Sequence, residues 1–176
     1  MTDDTGTNDA QATEHPGSTG FNIEDRLAII NLCNTYAGRY DSNQIDAWLQ
    51  LFTDNPQCTI RLADTEPVIV SGDDFRSLFR AMRASASDNG VQPLHYNTNL
   101  NIKAQTDSTA LVETYMLYVP LDIPGLKVAE KTLTGTRITG TARYVFSVLR
   151  GDDGVWRINE YAISFDQLVV EATLDG

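Results

Sequence analysis

The chain has 176 residues, 41% of them hydrophobic, and this length and composition suit a single domain with its own core. Its 13 basic and 24 acidic residues give a formal net charge of -11 at pH 7, and a surface of this sign repels nucleic acid and anionic lipid. No apolar run approaches the roughly 20 residues that a membrane span needs, and no signal-peptide pattern precedes the domain, so we expect a cytoplasmic protein with no nucleic-acid or membrane partner.

The N-terminal segment MTDDTGTNDAQATEHPGSTG (1–20) differs in composition from the rest of the chain. It contains acidic residues, Thr, Gly and Ala, but no Leu, Ile, Val or aromatic residue. Such a segment cannot bury enough apolar surface to offset the entropy lost on ordering. We therefore predict a disordered acidic tail over residues 1–20, a single domain over 21–170 and a short C-terminal tail over 171–176.

Three segments have the apolar spacing of helices. Apolar residues recur at helical spacing from Ile23 to Tyr36, which predicts a first helix that ends between residues 38 and 41. The segment SNQIDAWLQLF (42–52) predicts a second helix with one apolar stripe, and the turn-forming segment DNPQ (54–57) is expected to stop it. The segment FRSLFRAMRAS (75–85) predicts a third helix.

Strand patterns occupy most of the remaining chain. Two short strands are predicted at 58–63 and 67–70, and four long ones at 94–104, 109–119, 136–149 and 155–165. Short turn-forming joins favour antiparallel neighbours among the long strands. The element order predicts an α+β fold in which three N-terminal helices pack on a curved, mostly antiparallel sheet.

The long strands carry apolar residues on both faces, as between Ala142 and Leu149. A sheet with one face in water alternates more cleanly between apolar and polar residues. We therefore expect a homo-oligomer, such as a dimer or trimer, in which another subunit covers the outer face.

The predicted domain contains a single histidine, His95, in the strand segment PLHYNTNLNIKA (93–104). Strand periodicity places His95, Asn97, Asn99 and Asn101 on one face, provided that no bulge intervenes. A lone histidine is most often satisfied by a nearby backbone carbonyl, so these residues alone leave its role open. Cys33 and Cys58 lack metal-ligand spacing, and with one histidine we expect buried thiols and no metal site.

Asp41 lies where the first helix is predicted to end, and a carboxylate there faces the negative end of the helix dipole. It could be a solvated, turn-forming aspartate. Alternatively, it could be a buried carboxylate that fixes the tautomer of an imidazole and raises its basicity. Tyr36 and Tyr40 are helix neighbours at i and i+4, so either hydroxyl could serve such a site.

Several segments, in this order, resemble a known family. They are the pattern Y-x-x-x-x-D from Tyr36 to Asp41, AWLQLF (47–52), HYNTNL (95–100), GTARY (140–144) and GVWRI (154–158). The order is similar to that of the SnoaL-like branch of the nuclear transport factor 2-like superfamily. HYNTNL most resembles hexachlorocyclohexane dehydrochlorinase. Tyr36, Asp41 and His95 are similar to the residue set of bile acid dehydratase, and scytalone dehydratase has a related arrangement.

The resemblance implies a cone-shaped α+β barrel, a strongly bent sheet wrapped over helices around an apolar pocket. It implies a lyase or isomerase of the dehydratase type that uses no cofactor and no metal. His95 would be the general base, Asp41 would orient it, and Tyr36 would protonate a departing hydroxyl or hold a carbonyl. The substrate would be an apolar small molecule such as a steroid, terpenoid or polyketide intermediate.

Aromatic and amide residues of the predicted elements are candidates for contact with that substrate. The expected substrate-binding residues are Tyr40, Trp48, Phe52, Phe79, Asn97, Tyr115, Tyr144 and Tyr161, and further pocket-lining candidates are Met116, Phe146 and Phe165.

The sequence also departs from the dehydrochlorinase, because tyrosines stand at 36 and about 161 where that enzyme has basic residues. We therefore expect no chloride-stabilising cation and no dehydrochlorination. Two alternatives to the lyase stay open. One is a polyketide or terpenoid cyclase that uses the same residues, and the other is a non-catalytic ligand-binding or scaffolding domain of the same fold.

Overall fold

The computed structural model describes residues 22–62, 66–88, 90, 92–118, 126–128 and 131–174. The acidic tail predicted for residues 1–20 lies outside them. The elements in chain order are α1 (Ile23–Asp41), α2 (Ile45–Leu49), β1 (Phe52–Leu62), β2 (Val68–Ser71), α3 (Gly72–Asp88), β3 (His95–Gln105), β4 (Thr109–Tyr118), β5 (Leu126–Val128), β6 (Lys131–Arg150) and β7 (Trp156–Leu174). No helix within these ranges is long and apolar enough to cross a membrane.

The strands form one sheet in the order β2-β1-β7-β6-β4-β3, and β5 pairs with β6 beside this path. Among the described strands, β1 and β7 pair in parallel and the other pairs are antiparallel. Because β1 and β7 lie far apart in sequence, no short turn constrains their direction. The sheet is curved and unclosed, and the helices pack on it, which confirms the predicted α+β fold.

The first helix has a capped N-terminus and one buried side. The Asn22 side chain accepts hydrogen bonds from the backbone N–H groups of Glu24 (2.9 Å) and Asp25 (3.3 Å). The two acidic residues also complement the positive end of the helix dipole. Buried residues recur every three or four positions from Ile29 to Ala37, and α1 packs against β3 and β7. This packing fixes the position of its C-terminal end.

The second helix is shorter than predicted, and the segment DNPQ does not end it. α2 ends at Leu49, and DNPQ lies inside β1, which begins at Phe52. The prediction was wrong because Pro56 falls where β1 makes few ladder bonds. Pairing with β2 begins at Gln57, and the register with β7 shifts between Phe52 and Gln57. A proline without an N–H is tolerated at such an irregular part of a strand.

The four long strands occur where they were predicted, with different ends. β3 and β4 match their predicted bounds within one residue. β6 begins at Lys131, earlier than predicted, and β7 continues to Leu174, into the segment predicted as a C-terminal tail. β6 and β7 pair with each other along most of their length. This pairing stabilises the strand conformation of residues whose local sequence pattern does not predict a strand.

Aromatic side chains fill much of the space between the helices and the sheet. Trp48 of α2 stacks on Phe75 of α3 with a ring-centroid distance of 5.9 Å, and both are fully buried with Tyr161 of β7. Cys33 and Cys58 are buried free thiols, as predicted. Burial raises the pKa of each thiol to about 12, so both remain protonated at neutral pH.

Candidate active site

An aspartate and a histidine from distant parts of the chain are in direct contact. Oδ1 of Asp41, the last residue of α1, lies 2.5 Å from Nδ1 of His95, the first residue of β3. The backbone N–H of His95 donates to Oδ2 of the same carboxylate at 2.8 Å. The side chains are only 12% and 13% exposed. Because an ionised carboxylate only accepts hydrogen bonds, Nδ1 carries the proton and Nε2 is left as the basic nitrogen.

Two side chains from other elements hold the C-terminal end of α1 beside β3. Nε2 of Gln92 donates to the carbonyl oxygen of Asp41 at 2.7 Å, and Nε of Arg83 donates to that of Tyr40 at 3.1 Å. The last carbonyls of a helix have no partner within the helix, and that of Tyr40 also accepts from the backbone N–H of Asn43 at 3.1 Å. The contacts that terminate α1 therefore also place its aspartate against His95.

A bulge in β3 decides which residues share the face of His95. Asn99 has a φ of 52°, and the register with β4 shifts by one residue between Thr98 and Asn101. His95 and Asn97 are partly buried, whereas Asn99 and Asn101 are exposed. The prediction that Asn99 shares a face with His95 was therefore wrong, because the extra residue reverses the alternation.

An apolar cavity of about 260 Å³ lies beside the imidazole. Residues from α1, α3 and five strands form its wall: Tyr36, Tyr40, Ile60, Phe79, Met82, His95, Met116, Tyr118, Tyr144, Ile163 and Phe165. A wall of apolar side chains with few polar groups is typical of small-molecule sites. Among the described residues, no three His, Cys, Asp or Glu side chains are grouped as a metal ion would require.

Two tyrosines flank the imidazole in this wall. The His95 ring lies 5.6 Å from the ring of Tyr40 in an edge-on arrangement and 5.1 Å from that of Tyr118. Tyr118 is also opposite His95 in the ladder between β3 and β4. Burial raises the pKa of Tyr40 to about 12, and burial likewise raises the pKa of Tyr118. Both hydroxyls therefore remain protonated donors at neutral pH.

Comparison with known proteins assigns the chain to a family. A model of the SnoaL-like domain matches residues 22–162, which is more than half of the chain. The chain belongs to the SnoaL-like family. This confirms the resemblance stated from the sequence, and the match includes Asp41 and His95. No curated protein matches the sequence at a significant level.

Solved structures similar to this SnoaL-like domain carry varied assignments. A candidate aromatic ring hydroxylase from Novosphingobium aromaticivorans is 26% identical, with a TM-score of 0.63 over 87% of this chain and 96% of that chain. A candidate scytalone dehydratase from the same species is 16% identical, with a TM-score of 0.63 over 86% and 93%. A hexachlorocyclohexane dehydrochlorinase of type 2 is 15% identical, with a TM-score of 0.64 over 88% and 93%. The last two similarities establish a shared fold.

About half of the predicted site residues lie in the cavity wall of the SnoaL-like domain. The wall includes the predicted residues Tyr36, Tyr40, Phe79, His95 and Tyr144, and the further candidates Met116 and Phe165. Asp41 stands behind His95 as its hydrogen-bond partner. Tyr36 is in ring contact with five aromatic residues of the core, and burial raises its pKa well above the ordinary value. Its hydroxyl is therefore a neutral donor set deeper than those of Tyr40 and Tyr118.

The remaining predicted residues lie elsewhere in the SnoaL-like domain. Trp48, Phe52 and Tyr161 belong to the buried core behind the wall. Asn97 lies under α1, where its Nδ2 donates to the carbonyl oxygen of Cys33 at 3.4 Å. Tyr115 is 54% exposed on the opposite face of the sheet, because it alternates along β4 with the wall residue Met116.

Two residues at the site were missed in the sequence. Tyr118 contacts His95 through strand pairing between β3 and β4, and the sequence of one strand does not reveal its partner's register. Arg83 was missed because an arginine in a helix usually lies on the solvated side. It is only 3% exposed, and its spacing of four from Phe79 and eight from Phe75 was the available signal.

Proposed function

We propose that this SnoaL-like protein is a lyase or isomerase that works without a cofactor, with His95 as general base. The observation that carries the proposal is the Asp41–His95 contact at the wall of an apolar cavity. A histidine whose Nδ1–H is held by a carboxylate presents a basic Nε2, and an apolar setting strengthens the interactions of charges that develop during reaction. The shared fold with a dehydrochlorinase and a candidate dehydratase is consistent with this type of reaction.

In the proposed reaction, Nε2 of His95 removes a proton from the carbon next to a carbonyl group. The electrons of the broken C–H bond form a carbon–carbon double bond, and the carbonyl oxygen becomes an enolate oxygen. In elimination, the enolate re-forms the carbonyl, a double bond forms to the neighbouring carbon as its bond to the hydroxyl breaks, and that hydroxyl takes the proton from the His95 imidazolium and leaves as water. In isomerisation, His95 returns the proton to another carbon. A positioned acid or base of this kind typically contributes about 10²–10⁴-fold in rate.

Three tyrosine hydroxyls can serve as donors to the oxygen atoms of such a substrate. We propose that Tyr40 and Tyr118, whose rings contact His95, act on the oxygen nearest the abstracted proton. Tyr36, the residue implied by the resemblance, would donate deeper in the cavity. The cavity volume of about 260 Å³ favours a small substrate or one compact part of a larger terpenoid, steroid or polyketide skeleton.

The test is exchange of carbon-bound protons for deuterium, followed by NMR in D₂O with a panel of small cyclic ketones and β-hydroxyketones. The wild-type protein is expected to accelerate exchange next to the carbonyl of at least one of these compounds. His95→Gln should lose about 10²–10⁴-fold of that rate. Asp152→Asn, an exposed change in the β6–β7 turn, is the matched control. Full exchange activity in His95→Gln would contradict the proposal.

Two other functions would use the same cavity and are distinguished by experiment. A cyclase would use the same base, and it differs in releasing a product with a new ring bond, which mass spectrometry and NMR of the product detect. A ligand-binding or scaffolding domain would use the same apolar cavity without chemistry at His95. It predicts tight binding of an apolar ligand with no exchange or turnover in either the wild type or His95→Gln.

We also propose that the protein is a homo-oligomer, a dimer or trimer, that covers the outer face of the sheet. Large side chains are exposed there on neighbouring strands, including Tyr96 on β3 with Tyr115 and Leu117 on β4. Contiguous exposed apolar groups of this kind are typical of interaction surfaces. Light scattering during gel filtration should give a multiple of the chain mass of 19.4 kDa, and a monomeric mass would contradict this proposal.

A further inference from the structure

Arg83 lies on α3 next to two residues of the cavity wall, and it is not itself part of that wall. Phe79, four residues earlier, and Met82 both contribute to the cavity wall. Residues at i and i+4 share one helix face, so Arg83 continues this face by one more turn. Its side chain is almost completely buried, with 3% exposure. A buried arginine at this place is unusual because charged side chains are rarely buried without a partner.

The guanidinium of Arg83 is only partly satisfied by its neighbours. Nε donates to the carbonyl oxygen of Tyr40 at 3.1 Å. Nη1 is buried and has no hydrogen-bond partner among the described residues. No ion pair among the described residues includes Arg83. The Asp41 carboxylate pairs with His95 instead. An unpartnered buried donor requires a physical explanation, such as a ligand or an ordered water.

We propose that the positive charge of Arg83 stabilises an oxyanion that forms on the substrate beside the Tyr40 and Tyr118 hydroxyls. The substrate would then be a compound whose reacting oxygen becomes an enolate or phenolate. This inference rests on the proposed function, and it specifies the substrate of the same site. Before reaction, the Asp41 carboxylate is paired with His95, and Arg83 has no ion-pair partner among the described residues. Once His95 has taken a proton, the imidazolium pairs with Asp41, and the new oxyanion is left with Arg83 as its nearby cation.

The electrostatics of the two tyrosines agree with this role. Burial raises the pKa of Tyr40 and of Tyr118, and the positive charge of Arg83 acts in the opposite direction on both. Its field therefore reaches both hydroxyls that flank the imidazole. Among the described residues, the charged and titratable groups around the cavity at this end are Tyr36, Tyr40 and Asp41 from α1, Arg83 from α3, His95 from β3, Tyr118 from β4 and Tyr144 from β6.

The test uses para-nitrophenol, whose phenolate form absorbs visible light and whose phenol form does not. The probe needs no turnover, so the test is independent of any enzymatic activity. It is titrated with pH in a His95→Gln background, so that protonation of His95 does not contribute. We expect the bound probe to be phenolate at a lower pH than the free probe. The ratio of phenolate to phenol on the protein should fall roughly tenfold when the charge of Arg83 is removed.

Two variants separate the charge of Arg83 from its role at the end of α1. Arg83→Gln keeps an amide donor for the Tyr40 carbonyl and removes the charge, whereas Arg83→Lys keeps the charge. Circular dichroism checks that each variant folds. We expect Arg83→Gln to lose the preference for phenolate and Arg83→Lys to keep most of it.

Three results would overturn the inference. They are absence of phenolate binding by the parent protein, an equal phenolate fraction in Arg83→Gln, and an equal loss in both variants, which would indicate a structural role. If deuterium exchange fails while the Arg83 dependence of phenolate binding holds, the reaction proposed for His95 is refuted and the oxyanion site stands.

Discussion

Replacement of Asp41 by asparagine tests how much the carboxylate contributes to the basicity of His95. The substituted side chain would keep the shape of the original, and its carbonyl oxygen can accept the backbone N–H of His95 in place of Oδ2. Its amide NH₂ group then faces Nδ1 and donates to it. The ring is driven to the opposite tautomer, with the proton on Nε2, so the nitrogen that should act as base is blocked.

The magnitude follows from the short distance between the two groups. Oδ1 of Asp41 lies 2.5 Å from Nδ1 of His95, and both side chains are nearly buried. The charge centres of carboxylate and imidazolium are then about 4 Å apart, where the attraction is about 4 kcal/mol at an effective dielectric constant of about 20. The asparagine dipole retains part of this, so we expect a loss of about 3 kcal/mol, or about a hundredfold in rate.

The assay is the exchange of carbon-bound protons for deuterium in the ketone that the wild type processes best. Asp41→Asn should exchange at about one-hundredth of the wild-type rate or less, while Asp152→Asn matches the wild type. Urea unfolding of both variants separates loss of activity from loss of fold. An Asp41→Asn rate within about threefold of the wild type would refute the reasoning, because the carboxylate would then have no part in the basicity of His95.

Tyr118→Phe should lower the exchange rate about tenfold or more, because it removes a hydrogen-bond donor beside His95. Tyr115→Phe on the outer face of the sheet is its control, and equal exchange rates in the two variants would contradict the role of Tyr118. Asp25→Ala should cost about 1–3 kcal/mol in urea unfolding, because Nε1 of buried Trp156 loses its acceptor at 2.9 Å. The free energy of unfolding should fall as pH rises from about 10 to 12, because Tyr40 keeps its proton in the fold up to a pKa of about 12 and loses it near 10 when unfolded. Tyr40→Phe should make that slope less steep, because the other buried tyrosines and the thiols still contribute to it, and an unchanged slope would contradict the assignment to Tyr40.

Local sequence patterns were sufficient for elements that depend on local interactions. The buried stripe of α1 and the Asn22 cap are set within the helix, and β3 and β4 have strand composition along their length. The error at DNPQ has a non-local cause. Pro56 and its neighbours form part of β1 because β7, about a hundred residues later, is available to pair beside them. Pairing with β7 outweighs the local turn propensity of this segment, and the local sequence does not indicate that β7 will lie beside it.

The candidate site was predictable where one residue type or one spacing is distinctive. His95 stands out because it is the single histidine of the domain, and the resemblance supplied Asp41 as its partner. The side chains around them were harder to predict. Tyr115 and Tyr118 differ by three positions, and only the pairing of β4 determines which of them faces the helices. The bulge at Asn99 likewise depends on the register with β4, which a single strand does not encode.

The reacting groups of this site stand at the ends of elements, and this position has a chemical consequence. Asp41 ends α1, His95 begins β3 and Tyr118 ends β4. The end of a helix presents carbonyl oxygens that need donors. Here Gln92 donates to the carbonyl of Asp41, and both Arg83 and the backbone N–H of Asn43 donate to that of Tyr40. A neutral donor such as Gln92 is enough to satisfy a carbonyl, so capping alone does not explain why a charged side chain is buried at Tyr40. Burying a guanidinium costs more desolvation free energy than burying a neutral amide. Attraction between the guanidinium and the proposed oxyanion beside Tyr40 and Tyr118 would compensate for this cost.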